Sequence, residues 1–369
     1  MDDLKLLVLD NIRKIGVEVD EYLRKFNGTN DSYIMKITRS RFNNGEGKIR
    51  IDETIRDKDV FILSDVGNYG ITYEMHDHIV PMSPDEHFQD IKRSISALSG
   101  YARRITVFMP LLYQSRQDKR EGRESLDCSM ALQELERLKI NHLLTFDCHN
   151  RQVANAIPNL PFENFFPTNR ILEDLIVNEN ICDDTIVVAP DEGALKRARF
   201  YADMLRCNVG SFYKRRDVTK LVNGKNPIVE HKYMGTDVNG KTVIVVDDMI
   251  ASGSSIIDVG RKLKEEYHAD KIFFITTFAL FTEGIDIFNE AYIKGYFDKL
   301  YTTNLSYIPE DYKQNEWLEV VNCSKRIAEI IDCIHKGNSL GKIVDGKEGV
   351  FKLLDEKKTT LKRTRAIKY

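Results

Sequence analysis

Two carboxylates followed by a loop of small, hydroxylated residues are the part of this sequence best suited to chemistry. Asp247 and Asp248 follow the β-branched run at 243–246, and Ala251-Ser252-Gly253-Ser254-Ser255 comes shortly after. An amphipathic pattern over 254–266 predicts a helix. A loop leading into a helix offers backbone N–H groups and a favourable dipole to an anion. We therefore predict a site for a phosphorylated sugar, whose hydroxyls or a divalent metal would meet the acids. The alternative is that Ser and Gly only cap the helix.

A second strand-to-helix turn also combines an acid with cations. Asp191 follows the apolar run at 185–189 and precedes a helical pattern over 193–205. The first turns of that pattern carry three cations, Lys196, Arg197 and Arg199. The turn predicts a second anion loop that suits a pyrophosphate, and the alternative is a helix cap at Asp191.

Further polar residues follow other apolar runs. His149 comes just after 142–146, where it is either structural or shares Mg²⁺ with Asp191 and bound phosphates, although Mg²⁺ prefers oxygen ligands. The cations Lys214, Arg215 and Arg216 predict a mobile loop that closes over phosphates, or else a solvated basic turn.

Two stretches of the N-terminal half are suited to a nucleotide. An aromatic ring, an amide and a carboxylate can stack on and hydrogen-bond an adenine, and an arginine can bind its phosphates. The candidates are Phe42, Asn44 and Glu46 in one stretch, and Arg116, Gln117 and Asp118 in the other. The alternative for the first stretch is an ordinary turn.

Alternating strand-like and helix-like segments predict an α/β fold with mainly parallel sheets and helices on both faces. Three prolines in 155–168 mark a boundary, so we expect one domain at 1–165 and a second at 166–350. The polar segment 66–89 is predicted to be a long loop or insertion. Residues 351–369 are predicted to be a basic, solvated tail.

Composition excludes several functional classes. The chain has 369 residues and a net charge of −3, which gives no general attraction to nucleic acids or membranes. No apolar run is long enough to span a bilayer, and the acidic N-terminus does not have the pattern of a secretory signal. The six cysteines show no CxxC spacing, which favours reduced thiols and a cytoplasmic location.

Taken in order, these stretches resemble the ribose-phosphate pyrophosphokinase family, also called phosphoribosyl pyrophosphate (PRPP) synthetases. The resemblance covers about residues 37–354. It implies two tandem phosphoribosyltransferase-like domains, the first on the ATP side and the second on the ribose 5-phosphate side. It also implies transfer of pyrophosphate from ATP to the 1-hydroxyl of ribose 5-phosphate, giving PRPP and AMP. From the resemblance we also expect a homo-oligomer based on dimers, such as a hexamer.

The resemblance assigns roles to individual positions. Phe42, Asn44 and Glu46 match the adenine segment, with Asn44 at a usual Asp, and Arg116, Gln117 and Asp118 match a stretch that contacts ATP. The implied Mg²⁺ ligands are His149 and Asp191. Lys214 is implied to be catalytic, and Arg216 to serve the ribose phosphate and the transition state. The segment from Asp247 to Ser255 matches the motif that binds ribose 5-phosphate.

The sequence departs from the family's pattern at 66–89, in the polar loop 119–127, at Ala194 and within 251–255. Two other functions therefore stay open at this stage. A nucleobase phosphoribosyltransferase would consume PRPP, and a non-catalytic regulatory homologue would bind without turnover. We expect small-molecule substrates and no nucleic-acid or membrane partner.

Overall fold

The computed structural model describes residues 3–179, 181, 184–216, 228–344 and 346–366. Within these ranges, the side chains of residues 214–216, 228–231, 342, 344, 358 and 360–366 lie outside the described part. The chain divides into two compact units. The first contains Met1–Pro167, Asn304–Pro309 and Asn322–Asp345, and the second contains the intervening and C-terminal segments. In these described ranges no helix has both the length and the hydropathy needed to cross a membrane.

The described strands and helices alternate along most of the chain. The strands are β1 (Leu4–Val8), β2 (Ile37–Arg41), β3 (Gly47–Ile51), β4 (Asp59–Leu63), β5 (Thr72–Met75), β6 (His78–Pro81), β7 (Arg104–Phe108), β8 (His142–Phe146), β9 (Phe162–Phe165), β10 (Thr185–Ala189), β11 (Asn208–Arg216), β12 (Ile228–Met234), β13 (Thr242–Ile250), β14 (Lys271–Ala279), β15 (Lys299–Thr303) and β16 (Leu318–Val321). The helices are α1 (Arg13–Asn27), α2 (Pro84–Leu98), α3 (Asp127–Arg137), α4 (Thr168–Asn178), α5 (Leu195–Leu205), α6 (Ser254–Glu265), α7 (Asp286–Ile293), α8 (Ser324–His335), α9 (Gly341–Val344) and α10 (Lys347–Ala366).

The first unit is built on a five-stranded parallel sheet in the order β1-β4-β7-β8-β9. Every residue of the interior strand β4 is buried, as expected for a strand covered on both faces. Two antiparallel hairpins, β2–β3 and β5–β6, stand outside this sheet.

The second unit is built on a seven-stranded sheet in the order β12-β11-β10-β13-β14-β15-β16. All neighbours pair in parallel except the edge strand β12, which runs antiparallel to β11. The predicted α/β class with mainly parallel sheets is therefore confirmed.

Two segments have more structure than the sequence suggested. Segment 66–89, predicted to be a long loop, contains the β5–β6 hairpin and the first turns of α2, whose N-cap Ser83 forms a capping box with Glu86. The predicted solvated tail begins inside α10. Leu354 is fully buried there, four residues after the buried Val350. This i, i+4 pair forms an apolar stripe too short to stand out in a basic segment.

The first unit contains a buried acid at the amino-terminal end of its parallel strands. The Asp59 side chain is fully buried at the start of β4 and forms a bidentate ion pair with Arg104 of β7. Its Oδ2 also lies 2.7 Å from Nδ1 of His335 on α8. Burial alone would raise the pKa of Asp59, but the hydrogen bonds to His335 and Arg104 hold it below its ordinary value. The contacts of Asp59 with Arg104 and His335 therefore fix α8 to the amino-terminal ends of β4 and β7.

We predict that Asp59→Asn destabilises the first unit by about 3 kcal/mol, because Arg104 loses its carboxylate in a largely buried place. Because the folded pKa of Asp59 is lowered, this contribution is present above about pH 4 and is lost as the pH falls through the folded value. Urea unfolding at pH 7 and pH 3 measures both effects. The control is Asp52→Asn, which removes an exposed partner of Arg50 and should change little. Equal stability of wild type and Asp59→Asn at pH 7 would contradict the prediction.

Candidate functional site

The candidate site of the second unit lies where the order of its strands reverses. β10 connects through α5 to β11 on one side, whereas β13 connects through α6 to β14 on the other. β10 and β13 are direct neighbours, with Thr185 opposite Thr242 and Val188 opposite Val245. In open parallel sheets, ligands bind beyond the carboxyl ends of the strands at such a reversal. The loops that contain Asp191 and residues 251–253 both begin at this edge.

The turn between β13 and α6 is shaped to leave backbone donors open. Gly253 is the N-cap of α6, has φ +91°, and has no side chain with which to cap the helix. The first turn of α6 contains no acidic residue. Because the first N–H groups of a helix have no partner within it, the start of α6 can bind an anion. The hydroxyls of Ser252 and Ser254 lie 3.2 Å apart beside this turn.

A left-handed backbone and a buried aromatic ring together require glycine at position 253. A Cβ atom added there would lie 2.2 Å from Cζ of Phe288 on α7. The carbonyl of Ala251 accepts a hydrogen bond from the Thr282 N–H at 3.0 Å, which fixes the other side of the turn. The turn is therefore held in place from two directions.

The two acids lie within β13, which continues to Ile250, and not after the strand as the sequence suggested. The carboxyl of Asp247 lies close enough to that of Asp248 for the two to influence each other. The Asp248 N–H donates to Oδ1 of Asp247 and the Met249 N–H donates to Oδ1 of Asp248, both at 2.9 Å. Burial alternates along this end of the strand, with Asp248 and Ile250 buried and Asp247 and Met249 half-buried.

Burial and the neighbouring Asp248 raise the pKa of Asp247 well above its ordinary value, against a lowering influence of Arg197. The main causes are therefore loss of solvation and the like charge of the neighbouring carboxyl, both of which disfavour the charged form of Asp247. Arg197 lies in the first turn of α5. The sequence showed it only as one of three cations on a helix, and its proximity to Asp247 depends on the pairing of β10 with β13.

The turn between β10 and α5 has the same character. The helix begins at Leu195, and its N-cap Ala194 supplies no side-chain hydrogen bond. Oδ1 of Asp191 accepts from the Ala194 N–H at 3.2 Å, but the N-cap of α5 is Ala194 and not Asp191, which was the alternative drawn from the sequence. No other hydrogen bond to Asp191 occurs among the described residues, so Oδ2 can take a further role.

Lys214 and Arg216 lie at the end of β11, not in a loop that follows a strand. Ser211 is paired both with Ala189 of β10 and with Met234 of β12. From there β11 continues with β12 as a two-stranded ribbon beyond the end of β10, with Lys214 opposite His231. The side chains of Lys214 and Arg216, and residues 217–227 of the predicted mobile loop, lie outside the described residues.

In the first unit, two predicted stretches meet beyond the ends of β7 and β8. Asn150 donates a hydrogen bond at 2.6 Å to Oδ2 of Asp118. Asp147, with φ +37°, turns the chain after β8, and His149 is exposed next to it. His149 and Asp118 therefore belong to one edge of the five-stranded sheet.

The neighbours of Asp118 differ from each other in environment. The Gln117 amide donates to the carbonyl of Ser125 at 3.0 Å, which ties down the 119–127 loop. The Arg116 side chain is exposed, and among the described residues it forms no hydrogen bond or ion pair. Arg116 is thus the member of this stretch that is available to a ligand.

Phe42, Asn44 and Glu46 lie in the five-residue loop between β2 and β3. Arg41 and Gly47 are paired at its base, and the Phe42 side chain is 54% exposed. Asn44 and Glu46 hydrogen-bond to each other, through their side chains at 3.0 Å and through the Glu46 N–H at 3.2 Å. In the described part of the chain, no hydrogen bond or ion pair joins this loop to Arg116.

The fold and the edge of the second sheet define a protein of the phosphoribosyltransferase fold class. Sequence profiles agree with this class. The N-terminal domain of ribose phosphate pyrophosphokinase matches residues 4–138, and the phosphoribosyl transferase domain matches residues 168–293, together well over half of the chain. The chain belongs to the ribose-phosphate pyrophosphokinase family, and the family predicted from the sequence is confirmed.

Individual relatives cover most of the chain. Ribose-phosphate pyrophosphokinase 2 of Schizosaccharomyces pombe is 29% identical over 313 residues, which span 83% of this chain and 88% of the relative. Ribose-phosphate pyrophosphokinase of Bacillus caldolyticus is 28% identical over 346 residues, 93% of this chain and 98% of the relative. The phosphoribosylpyrophosphate synthetase structure from Mycobacterium smegmatis has the same fold, with a TM-score of 0.75 and 23% identity over 91% of this chain and 100% of that one.

We predict that Gly253→Ala weakens binding of a sugar phosphate at the start of α6, because the new methyl group collides with Phe288 and moves the turn. Calorimetric titration with ribose 5-phosphate should show at least a tenfold loss of affinity. The matched control is Gly240→Ala, which has φ +67° but no heavy atom within 4 Å of the added Cβ. Both variants carry backbone strain of roughly 1–2 kcal/mol from their positive φ, so equal affinities in the two would contradict this role for Gly253.

Proposed function

We propose that this chain transfers the terminal pyrophosphate of ATP to the 1-hydroxyl of ribose 5-phosphate, giving PRPP and AMP. The observation that carries the proposal is the edge where β10 and β13 meet. There, a helix start without a side-chain cap stands beside a pair of acids. This arrangement matches a ligand with a phosphate at one end and vicinal hydroxyls at the other. The reaction is inferred from membership of the ribose-phosphate pyrophosphokinase family.

Binding of ribose 5-phosphate follows from the charges at this edge. The 5-phosphate is held by residues 251–255, through the N–H groups at the start of α6 and the hydroxyls of Ser252, Ser254 and Ser255. Asp247 and Asp248 accept hydrogen bonds from the ribose hydroxyls. Burial and the neighbouring Asp248 raise the pKa of Asp247, which reduces its repulsion of an incoming anion.

The transfer itself requires alignment and positive charge. The 1-oxygen of the ribose attacks the β-phosphorus, the bond from that phosphorus to the bridging oxygen of AMP breaks, and AMP leaves with the electron pair. The proton of the 1-hydroxyl is released to solvent. No protein nucleophile is involved, so catalysis comes from positioning and from cations near the transferring group. Lys214 and Arg216 supply that charge from the ribbon of β11 and β12.

Mg²⁺ fits this chain as an ion that arrives with the nucleotide. Among the described residues there is no cluster of three or more His, Cys, Asp or Glu side chains that could hold a metal. Mg²⁺ is commonly bound by one or two carboxylates together with substrate phosphates and water. Asp191, with Oδ2 available, fits such a role, and the exposed His149 is the second proposed ligand. When bound, the ion neutralises charge on the phosphate oxygens.

The ATP side belongs to the first unit. Phe42 offers an exposed ring for the adenine, and Asn44 and Glu46 offer hydrogen-bonding groups. Arg116, Gln117 and Asp118 are the proposed contacts with the rest of ATP. We propose an ATP-side domain at 1–165 and a ribose 5-phosphate domain at 166–350. We also propose a homo-oligomer based on dimers and a cytoplasmic location.

A direct assay tests the reaction. The purified chain is incubated with ATP, ribose 5-phosphate and Mg²⁺, and the products are separated by chromatography. We expect AMP and PRPP in equal amounts, with neither product when the sugar phosphate is omitted or the Mg²⁺ is chelated. Formation of ADP, or no AMP at all, would contradict the proposal. Release of pyrophosphate from added PRPP only with a nucleobase would instead identify a phosphoribosyltransferase.

We predict that Lys214→Ala lowers kcat by about 10³-fold or more, because a cation that meets transition-state charge in phosphoryl transfer is worth roughly 10³–10⁵ in rate. Binding of ribose 5-phosphate, measured by calorimetry, should change little. The control is Lys232→Ala, which removes an exposed cation from β12 of the same ribbon and should leave kcat unchanged. A near-normal kcat for Lys214→Ala would show that Lys214 is not catalytic.

A further inference from the structure

The β5–β6 hairpin, in the segment where this chain departs from the family's pattern, has two distinct faces. Its two-residue turn places His76 and Asp77 at φ +48° and +61°, and Tyr73 pairs with Val80 across the strands. Along β5, Tyr73 and Met75 are half-buried, whereas Thr72 and Glu74 are exposed. The alternation means that Tyr73 and Met75 share one face of the hairpin, and that face is covered.

The covered face contacts the loop that carries Phe42, Asn44 and Glu46. Gly45, with φ +89°, lies so close to the hairpin that an added Cβ would be 2.8 Å from Sδ of Met75 and 3.7 Å from the Tyr73 ring. The Arg41 guanidinium lies over the same ring, 4.7 Å from its centroid. The proposed adenine loop and the hairpin are therefore in direct contact.

Arg41 connects the hairpin to the backbone of the loop. It donates a hydrogen bond to the Gly45 carbonyl at 2.9 Å and forms ion pairs with Glu86 at 3.5 Å and Asp90 at 3.6 Å. Its Nε is buried and has no hydrogen-bond partner among the described residues, so the face of the Tyr73 ring is an important part of its environment. Arg41 can therefore keep the loop in this conformation only when the Tyr73 ring, Glu86 and Asp90 keep its guanidinium in place.

Tyr73 also orients one of those acids. Its hydroxyl hydrogen-bonds to the Glu86 carboxylate. Burial alone would raise the pKa of Glu86, but the hydrogen bonds from Tyr73 and from the Ser83 N–H hold it below its ordinary value. Glu86 therefore stays ionised and paired with Arg41. One tyrosine contributes both its ring and its hydroxyl to the arrangement that shapes the loop.

We propose that Tyr73 and Met75 are positioning residues that preorganise the 42–46 loop and thereby set the affinity for ATP, an inference that rests on the function proposed above. In the proposed arrangement the nucleotide is contacted by the 42–46 loop and not by the hairpin. Without Tyr73, Arg41 loses its aromatic neighbour and the loop samples other conformations. Binding ATP must then restore the order that the hairpin otherwise provides, and affinity falls by that cost.

The test compares substitutions on the two faces of the hairpin in the full-length protein. We expect Tyr73→Ala to raise the KM for ATP roughly tenfold, the effect of losing one partly desolvated cation–π contact, while kcat at saturating ATP and the KM for ribose 5-phosphate stay within about twofold. Met75→Ala should raise the KM for ATP in the same selective way. Tyr73→Phe keeps the ring over Arg41 and should recover most of the lost affinity.

The matched controls are Glu74→Ala and Ile79→Ala, which lie opposite each other on the exposed face, with Ile79 79% exposed. Both should behave as wild type. An unchanged KM for ATP in Tyr73→Ala overturns the inference. An equal rise in the KM values for ATP and for ribose 5-phosphate also overturns it, because that result indicates a general loss of structure.

Binding of ATP in the absence of the sugar, measured by calorimetry, separates this inference from the proposed reaction. A wild-type chain that binds ATP but forms no AMP contradicts the reaction alone, and the affinities of the variants then still decide the role of Tyr73. A wild-type chain that binds no ATP overturns both proposals.

Discussion

The reversal of strand order between β10 and β13 is the constraint on which the candidate site depends. Because these two parallel strands are neighbours but their following helices leave in opposite directions, a gap opens beyond their carboxyl ends. Both helix starts face this edge without a side-chain cap at the N-cap position. The pairing therefore converts two separate strand-to-helix turns into one surface that suits a sugar phosphate.

The turn between β13 and α6 packs on a group of aromatic rings. Phe288, which touches Gly253, stacks on Trp317 with ring centroids 5.6 Å apart, and Phe281 meets it edge to face at 5.2 Å. These rings are buried and closely packed, so they cannot yield to a side chain at position 253. The conformation of the turn therefore depends on buried aromatic residues that lie outside the turn itself.

In the first unit the order of the five strands does not reverse, so its candidate nucleotide-binding residues are positioned in a different way. Its candidate nucleotide groups come from loops that are tied down by particular contacts: Asp118 to Asn150, and Gly45 to Arg41 and Tyr73. Loops held by a few polar contacts respond to single substitutions more selectively than a sheet does. The contacts that hold these loops come from residues far away in sequence, such as Asn150 and Tyr73.

The sequence by itself determined the α/β class, the family and the place of each strand-to-helix turn. Apolar runs such as 185–189 and the helical pattern from Ser254 are local features, and burial of continuous apolar strands makes them unambiguous. Only the tertiary structure decided which side chains meet. The approach of Arg197 to Asp247, the burial of Leu354 and the contact of the β5–β6 hairpin with the 42–46 loop all depend on packing. Such contacts join residues through strand pairing and helix docking, and no periodicity within a short segment records them.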